Sequence, residues 1–143
     1  MAPVPTEQDL RKTATIIWGA LLAGLITFMA VASIARPTMT VADPGMATAL
    51  ALVANALTVI QVAASRLVPR FMKRREGVTP DQHALTRTIV AAALCDGAGL
   101  FCVVVWMVTG TQWIYGALGL ALLGLAACYP GEGRWEALGG SPS

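Results

Sequence analysis

The sequence predicts an all-α, polytopic membrane protein in which four transmembrane helices form two duplicated helical hairpins within a single domain, 1–143. Hydrophobic residues make up 56% of the chain and charged residues only 13%, against about 25% charged residues in soluble domains. Four apolar runs each have close to the roughly 20 residues that cross a bilayer as a helix. Basic residues cluster in alternate connections between these runs. This combination argues against a soluble fold.

The apolar runs define the predicted spans and the segments between them. The spans are residues 13–35, 46–65, 88–108 and 112–129, with a basic loop at 66–87 and a flexible tail at 130–143. Thr6 lies three residues before Asp9, and Asp43 is followed by Pro44, as at helix starts. Residues 79–82 read S/T-x-x-E/Q, the capping-box pattern. We therefore expect the first and third helices to begin about seven residues before their apolar runs.

The distribution of basic residues predicts the orientation of the chain. Nine of the ten Lys and Arg residues lie in the N-terminal segment, in the central loop with its flanks, or in the tail, and only Arg36 lies in an opposite connection. By the positive-inside rule, both termini and the central loop are then cytoplasmic. The expected location is the inner (plasma) membrane.

The sequence contains an internal repeat at an offset of 73 residues. The shared pattern, T-x-T-I-[IV]-x-x-A-L-x-x-G-x-x-x-F, begins at Thr13 and again at Thr86. Its small residues are Ala20 and Gly24 in the first copy and Ala93 and Gly97 in the second. Two hairpins with the same orientation would be related by an axis along the membrane normal.

A secretory signal peptide is the alternative interpretation of the first run. Arg11 and Lys12 would form its basic region, and residues 30–32 its A-x-A cleavage site. The repeat favours a membrane span, because it relates this run to the third one.

Asp96 is the one ionisable carboxyl group inside the third apolar run. A charged side chain at the bilayer centre costs at least about 2.5 kcal/mol, so such residues usually face protein and have a role. The antiparallel second span carries Asn55, Thr58 and Gln61 at similar depth and on one broad face. We expect these three side chains and Asp96 to form an ion-binding site or a buried polar cluster.

A resemblance to a known family involves the residues around Asp96. The run Ala93-Leu94-Cys95-Asp96, followed by Leu100, resembles the ion-binding helix of the rotor-ring proteolipids (c-type subunits) of F- and V-type ATP synthases. The resemblance implies that Asp96 binds a transported proton or sodium ion. This chain departs from the family in its second span, which lacks the glycine ladder, and in its long basic loop.

The basic loop predicts contact with anionic lipid headgroups, at about 1 kcal/mol per basic residue near the surface. The residues proposed for this contact are Arg66, Arg70, Lys73, Arg74 and Arg75. Nucleic-acid binding is disfavoured, because the loop lies between two membrane spans.

Other chemistries find little support in the sequence. His83 is the one histidine, so haem ligation by paired histidines within the chain is excluded. The cysteines Cys95, Cys102 and Cys128 match no metal-binding spacing and are interpreted as small packing residues. We therefore expect no metal, no cofactor and no enzymatic activity.

Two functions remain. The first is a non-catalytic membrane subunit that packs through helix faces, with other integral membrane subunits or with itself. The second is a proteolipid-like protein that translocates an ion by means of Asp96.

Overall fold

A computed structural model describes residues 6–35, 43–74 and 76–140, and all regular structure in these ranges is helical. The helices are α1 (Glu7–Ala35), α2 (Pro44–Phe71), α3 (Pro80–Thr109), α4 (Ile114–Ala126) and α5 (Glu132–Ala137). The first three are long and apolar enough to cross a membrane. The apolar helix α4 has 13 residues, which correspond to roughly 20 Å against about 30 Å of hydrocarbon.

The predicted helix starts are confirmed. Thr79 Oγ1 accepts a hydrogen bond from the Gln82 backbone N–H at 3.3 Å, and Gln82 Oε1 accepts one from the Thr79 N–H at 3.2 Å. Asp43 Oδ1 accepts from the Gly45 N–H at 3.3 Å. These side chains satisfy N–H groups that have no partner within the helix. As a result, α3 begins eight residues before its apolar run.

The connection between α2 and α3 is shorter than the predicted loop, 66–87. The helix α2 continues to Phe71 and α3 begins at Pro80, so that residues 72–74 and 76–79 are the described residues outside helices here. Pro69 is buried within the last turn of α2. A proline in the last turn breaks few helical hydrogen bonds, because little helix follows it.

The helix α3 is the centre of the bundle, and α1, α2 and α4 all pack against it. Its contacts with α1 run from Ala84 beside Ala14 to Gly99 beside Leu25, so α1 and α3 are parallel. By contrast, α2 and α4 run antiparallel to α3. Two glycines allow close approach: a Cβ at Gly99 would lie 2.7 Å from Leu25 Cδ2, and one at Gly124 would lie 3.0 Å from Cys95 Sγ.

The two halves of the chain pack differently. The second pair of helices, α3 and α4, forms a direct contact, whereas α1 packs on α3 and has little contact with α2. Because Leu25 contacts Gly99, the repeat residues Gly24 and Gly97 lie at similar depths, as a duplication requires. The arrangement as two equivalent hairpins stays a prediction.

The segment after α4 contains a short helix, whereas the sequence predicted a flexible tail. Residues 132–137 form α5, and Trp135 is only 1% exposed. Its indole packs in a second hydrophobic cluster with Ala14 of α1 and Ala84 of α3. Trp135 Nε1 donates a hydrogen bond to Asp81 Oδ1 at 3.3 Å, and Arg11 forms an ion pair with Glu132 at 3.2 Å. The start of α1, the α2–α3 connection and α5 therefore gather at one end of the bundle.

Candidate functional site

Asp96 is half-buried on the edge of α3 that faces α1. At about 100° per residue it lies about 60° around the helix from Gly99, which contacts Leu25 of α1, and about 120° from Cys102, which contacts α2. One carboxylate oxygen, Asp96 Oδ1, is buried and accepts no hydrogen bond from the part of the chain that the structure describes. Asp96 is thus partly inside the protein, as expected, but turned away from α2.

The polar side chains of α2 have other partners. Thr58 is buried. Its Oγ1 donates to the Ala54 carbonyl at 2.8 Å and lies 3.1 Å from Cys102 Sγ. Asn55 Nδ2 donates to the Ala51 carbonyl at 2.8 Å and to the Trp113 carbonyl at 3.4 Å. Both side chains are therefore satisfied without Asp96.

Gln61 completes the predicted cluster and lies about one helical turn after Thr58 on α2. It is about 120° around α2 from Asn55, which faces α4. Its Oε1 atom is buried without a hydrogen-bond partner among the described residues. The structure consequently does not join Asp96, Asn55, Thr58 and Gln61 into one hydrogen-bonded site. In this arrangement α3 presents Asp96 toward α1 and Cys102 toward α2, and a shared ion-binding role for the four residues stays a prediction.

The structure separates glycines that pack the bundle from glycines that face outward. Gly99 and Gly124 have neighbours where a Cβ would be placed. The open helix glycines, with no atom within 4 Å of an added Cβ, are Gly19 and Gly24 of α1, Gly97 of α3, Gly116 and Gly119 of α4, and Gly133 of α5. The small pairs of the repeat, Ala20 with Gly24 and Ala93 with Gly97, are exposed on α1 and α3.

The residues predicted to contact lipid headgroups fall into separate places. Arg66 and Arg70, both exposed, line a cavity of about 210 Å³ at the end of α2. Lys73 lines a neighbouring cavity, and Arg74 is exposed. Arg75 lies outside the described residues. Their shared contact with lipid headgroups stays a prediction.

Two further arginines line the cavity beside Arg66 and Arg70, and sequence reasoning did not place them there. Arg87 of α3 donates to the Leu138 carbonyl at 3.0 Å and to the Met72 carbonyl at 2.7 Å. Arg134 of α5 donates to the Ala127 carbonyl and, at 3.5 Å, to Cys128 Sγ. These carbonyls lie at the C-terminal ends of helices, where the helix dipole favours a cation.

Among the remaining candidates for chemistry, the side chains of Cys95 and Cys128 contact each other. All three cysteines are buried and reduced. His83 Nε2 lies 3.1 Å from the Met72 carbonyl oxygen at the start of α3. No group of three His, Cys, Asp or Glu side chains that would hold a metal ion occurs within residues 6–35, 43–74 and 76–140.

Comparisons with protein-family models, with curated proteins and with solved structures find no match to this chain. Its function is therefore argued from its own residues.

Proposed function

We propose that this chain is a non-catalytic integral membrane subunit that packs through its outer helix faces, against a second copy or within a larger membrane complex. The observation that carries the proposal is the exposure of the repeated small pairs, Ala20 with Gly24 on α1 and Ala93 with Gly97 on α3. Small residues four apart let two helices approach closely in lipid, where no hydrophobic effect drives association.

The position of Asp96 supports the same face of α3 as a packing surface. Gly97 lies about 160° around α3 from the packed Gly99, and Asp96 lies between them. A buried polar atom without a partner costs roughly 1–3 kcal/mol. A hydrogen-bond donor from an adjoining helix would remove this cost for Asp96 Oδ1.

The proposed topology has four crossings of the inner (plasma) membrane, with the termini and the α2–α3 connection in the cytoplasm. The packing supports it, because the start of α1, residues 72–79 and α5 gather at one end of the bundle. Aromatic residues flank α4 at Trp113 and Tyr129, as expected at the two interfaces. Anionic lipid headgroups are the proposed partners of the basic residues at this end.

Cysteine accessibility tests this orientation. A cysteine introduced at the exposed Glu76 should resist a membrane-impermeant maleimide in intact cells, whereas one at the exposed Gln112, near the opposite end of α3, should react. The reverse labelling pattern would contradict the topology.

Assembly is tested with two matched substitutions in open positions, Gly97→Leu on α3 and Gly119→Leu on α4. At both positions an added Cβ meets no other atom within 4 Å, and both replacements raise helix propensity by a similar amount. We expect Gly97→Leu to shift the protein toward the monomer, or to release co-purifying membrane subunits, and Gly119→Leu to change neither. A wild-type chain that is monomeric and purifies alone would overturn the proposal.

The second candidate function is ion translocation by Asp96, and it is favoured by the buried carboxylate oxygen without a partner. In this alternative Asp96 binds a proton or a sodium ion, as the resemblance to rotor-ring proteolipids implies. It ranks second, because Asn55 and Thr58 are hydrogen-bonded elsewhere and offer no relay toward the carboxylate.

Asp96→Asn distinguishes the two functions, since the amide keeps the shape of the side chain. If Asp96 carries an ion, the substitution abolishes transport in proteoliposomes while assembly is retained, and carbodiimide labelling of the wild type is blocked by sodium or by low proton activity. If Asp96 only packs, the substitution leaves assembly intact and no transport is seen in the wild type.

A further inference from the structure

A cavity at the proposed cytoplasmic end of the bundle is lined by four arginines. Arg66 and Arg70 come from α2, Arg87 from α3 and Arg134 from α5, around a volume of about 210 Å³. This volume far exceeds the roughly 10–15 Å³ that one water molecule needs. Four residues distant in sequence therefore surround a space that a small ligand can enter.

The charge of this cavity is uncompensated within the described part of the chain. No Asp or Glu lines it. The nearby Glu132 pairs with Arg11 instead, and Asp81 accepts the hydrogen bond of Trp135. Four cations held close together repel one another, and an anion bound among them would relieve that repulsion.

Hydrogen bonds within the described chain hold two of the four arginines in place and leave the other two unrestrained. The terminal nitrogens of Arg87 and Arg134 hold helix-end groups, yet the Nε–H donor of each is buried without a partner in the described residues. Arg66 and Arg70 are exposed, and no hydrogen bond or ion pair with a described residue restrains either. The cavity thus combines unfilled donors with two guanidinium groups that are free to close on an oxyanion.

We propose that this cavity binds a phosphate group, either the headgroup phosphate of an anionic lipid or a free phosphate. Arginine recognises phosphate through paired N–H···O bonds, which is the chemistry that the unfilled donors provide. The cavity begins at Ser65, where the apolar part of α2 ends, and this is the depth of lipid headgroups. The proposal goes beyond the assembly function, because it needs only one chain and no partner subunit.

The test compares two variants of equal charge, Arg66→Gln/Arg70→Gln in the cavity and Lys73→Gln/Arg74→Gln outside it. The purified full chain is placed in an equimolar mixture of phosphatidylglycerol and phosphatidylcholine, and the retained lipid is identified by native mass spectrometry. In parallel, the lipid-stripped protein is melted in detergent with inorganic phosphate or with chloride at the same ionic strength.

We expect the affinity for the anion to fall about tenfold or more in the cavity variant and much less in the outer variant. Preferential retention of phosphatidylglycerol assigns the site to a lipid, whereas stabilisation by inorganic phosphate with equal retention of both lipids assigns it to a free phosphate. Arg66→Lys/Arg70→Lys, which keeps the charge, should retain part of the binding. Equal losses in the two Gln variants, or no preference for either anion by the wild type, would overturn the proposal.

Discussion

The helices α1 and α3 carry the same repeated pattern and run parallel, but their surroundings differ. In the most apolar stretch of α1 only 11% of the residues are buried, whereas the corresponding figure for α3 is 50%. The difference arises because α3 contacts three helices and α1 packs mainly on α3. Similar apolar sequences therefore do not imply similar positions in a membrane bundle, and the small residues of each helix must be assigned to packing or to open surface one by one.

The largest expected effect concerns the attachment of α1 through the second hydrophobic cluster. Trp135→Ala should cost about 3–5 kcal/mol, because it empties the space that a buried indole fills between α1 and α3. Hydrogen exchange should then rise at the start of α1 and remain low in the centre of α3. Trp113→Ala, at a side chain that is 83% exposed, is the control and should leave both helices protected. A uniform rise along both helices would mean that α1 is no more weakly held than α3.

An intermediate effect is expected at the contact between the two helices. Gly99→Leu places side-chain atoms where Leu25 already lies, so the cost should be about 1–3 kcal/mol in thermal melting of the detergent-solubilised chain. Gly24→Leu makes the same chemical change on α1 in open space and should not destabilise the isolated chain. If both variants melted alike, the assignment of Gly99 to packing and of Gly24 to open surface would be wrong.

The smallest effect is expected where α3 has Asp96 and α1 has Ala23. Because Asp96 Oδ1 is buried and accepts no hydrogen bond within the described chain, Asp96→Leu removes the cost of that unpartnered atom and should not lower the stability of the isolated chain. Thermal melting of the monomer measures this, and Thr58→Val is the comparison, since it removes a hydroxyl that contacts Cys102. A larger loss for Asp96→Leu than for Thr58→Val would show that Asp96 has an internal partner.

The features that sequence reasoning predicted correctly are local ones. The capping box at Thr79 and Gln82 depends on residues three apart, and composition alone indicates long apolar helices. The polar cluster depended on how α3 is rotated about its axis, and the apolar pattern of α3 gives no strong preference for one face. The arginine cavity brings together Arg66 and Arg134, which are distant in the sequence, and no spacing in the sequence marks such a pair.

The tail was misjudged for a related reason. Glycine and serine residues near its end suggested flexibility, whereas one tryptophan decides the outcome. The buried Trp135 gains its stability from Ala14 and Ala84, which are more than fifty residues away along the chain, so its burial has no local sequence signal.

The position of α5 has a consequence for the order in which the protein is made. The contacts that hold the beginning of α1 at this end, Trp135 against Ala14 and Glu132 with Arg11, involve a helix that leaves the ribosome after the other four helices. During synthesis, the first apolar helix is therefore made before the attachment that later fixes its start. The bundle is completed only when α5 docks, and a nascent chain stalled before Glu132 would expose the start of α1 to membrane quality control.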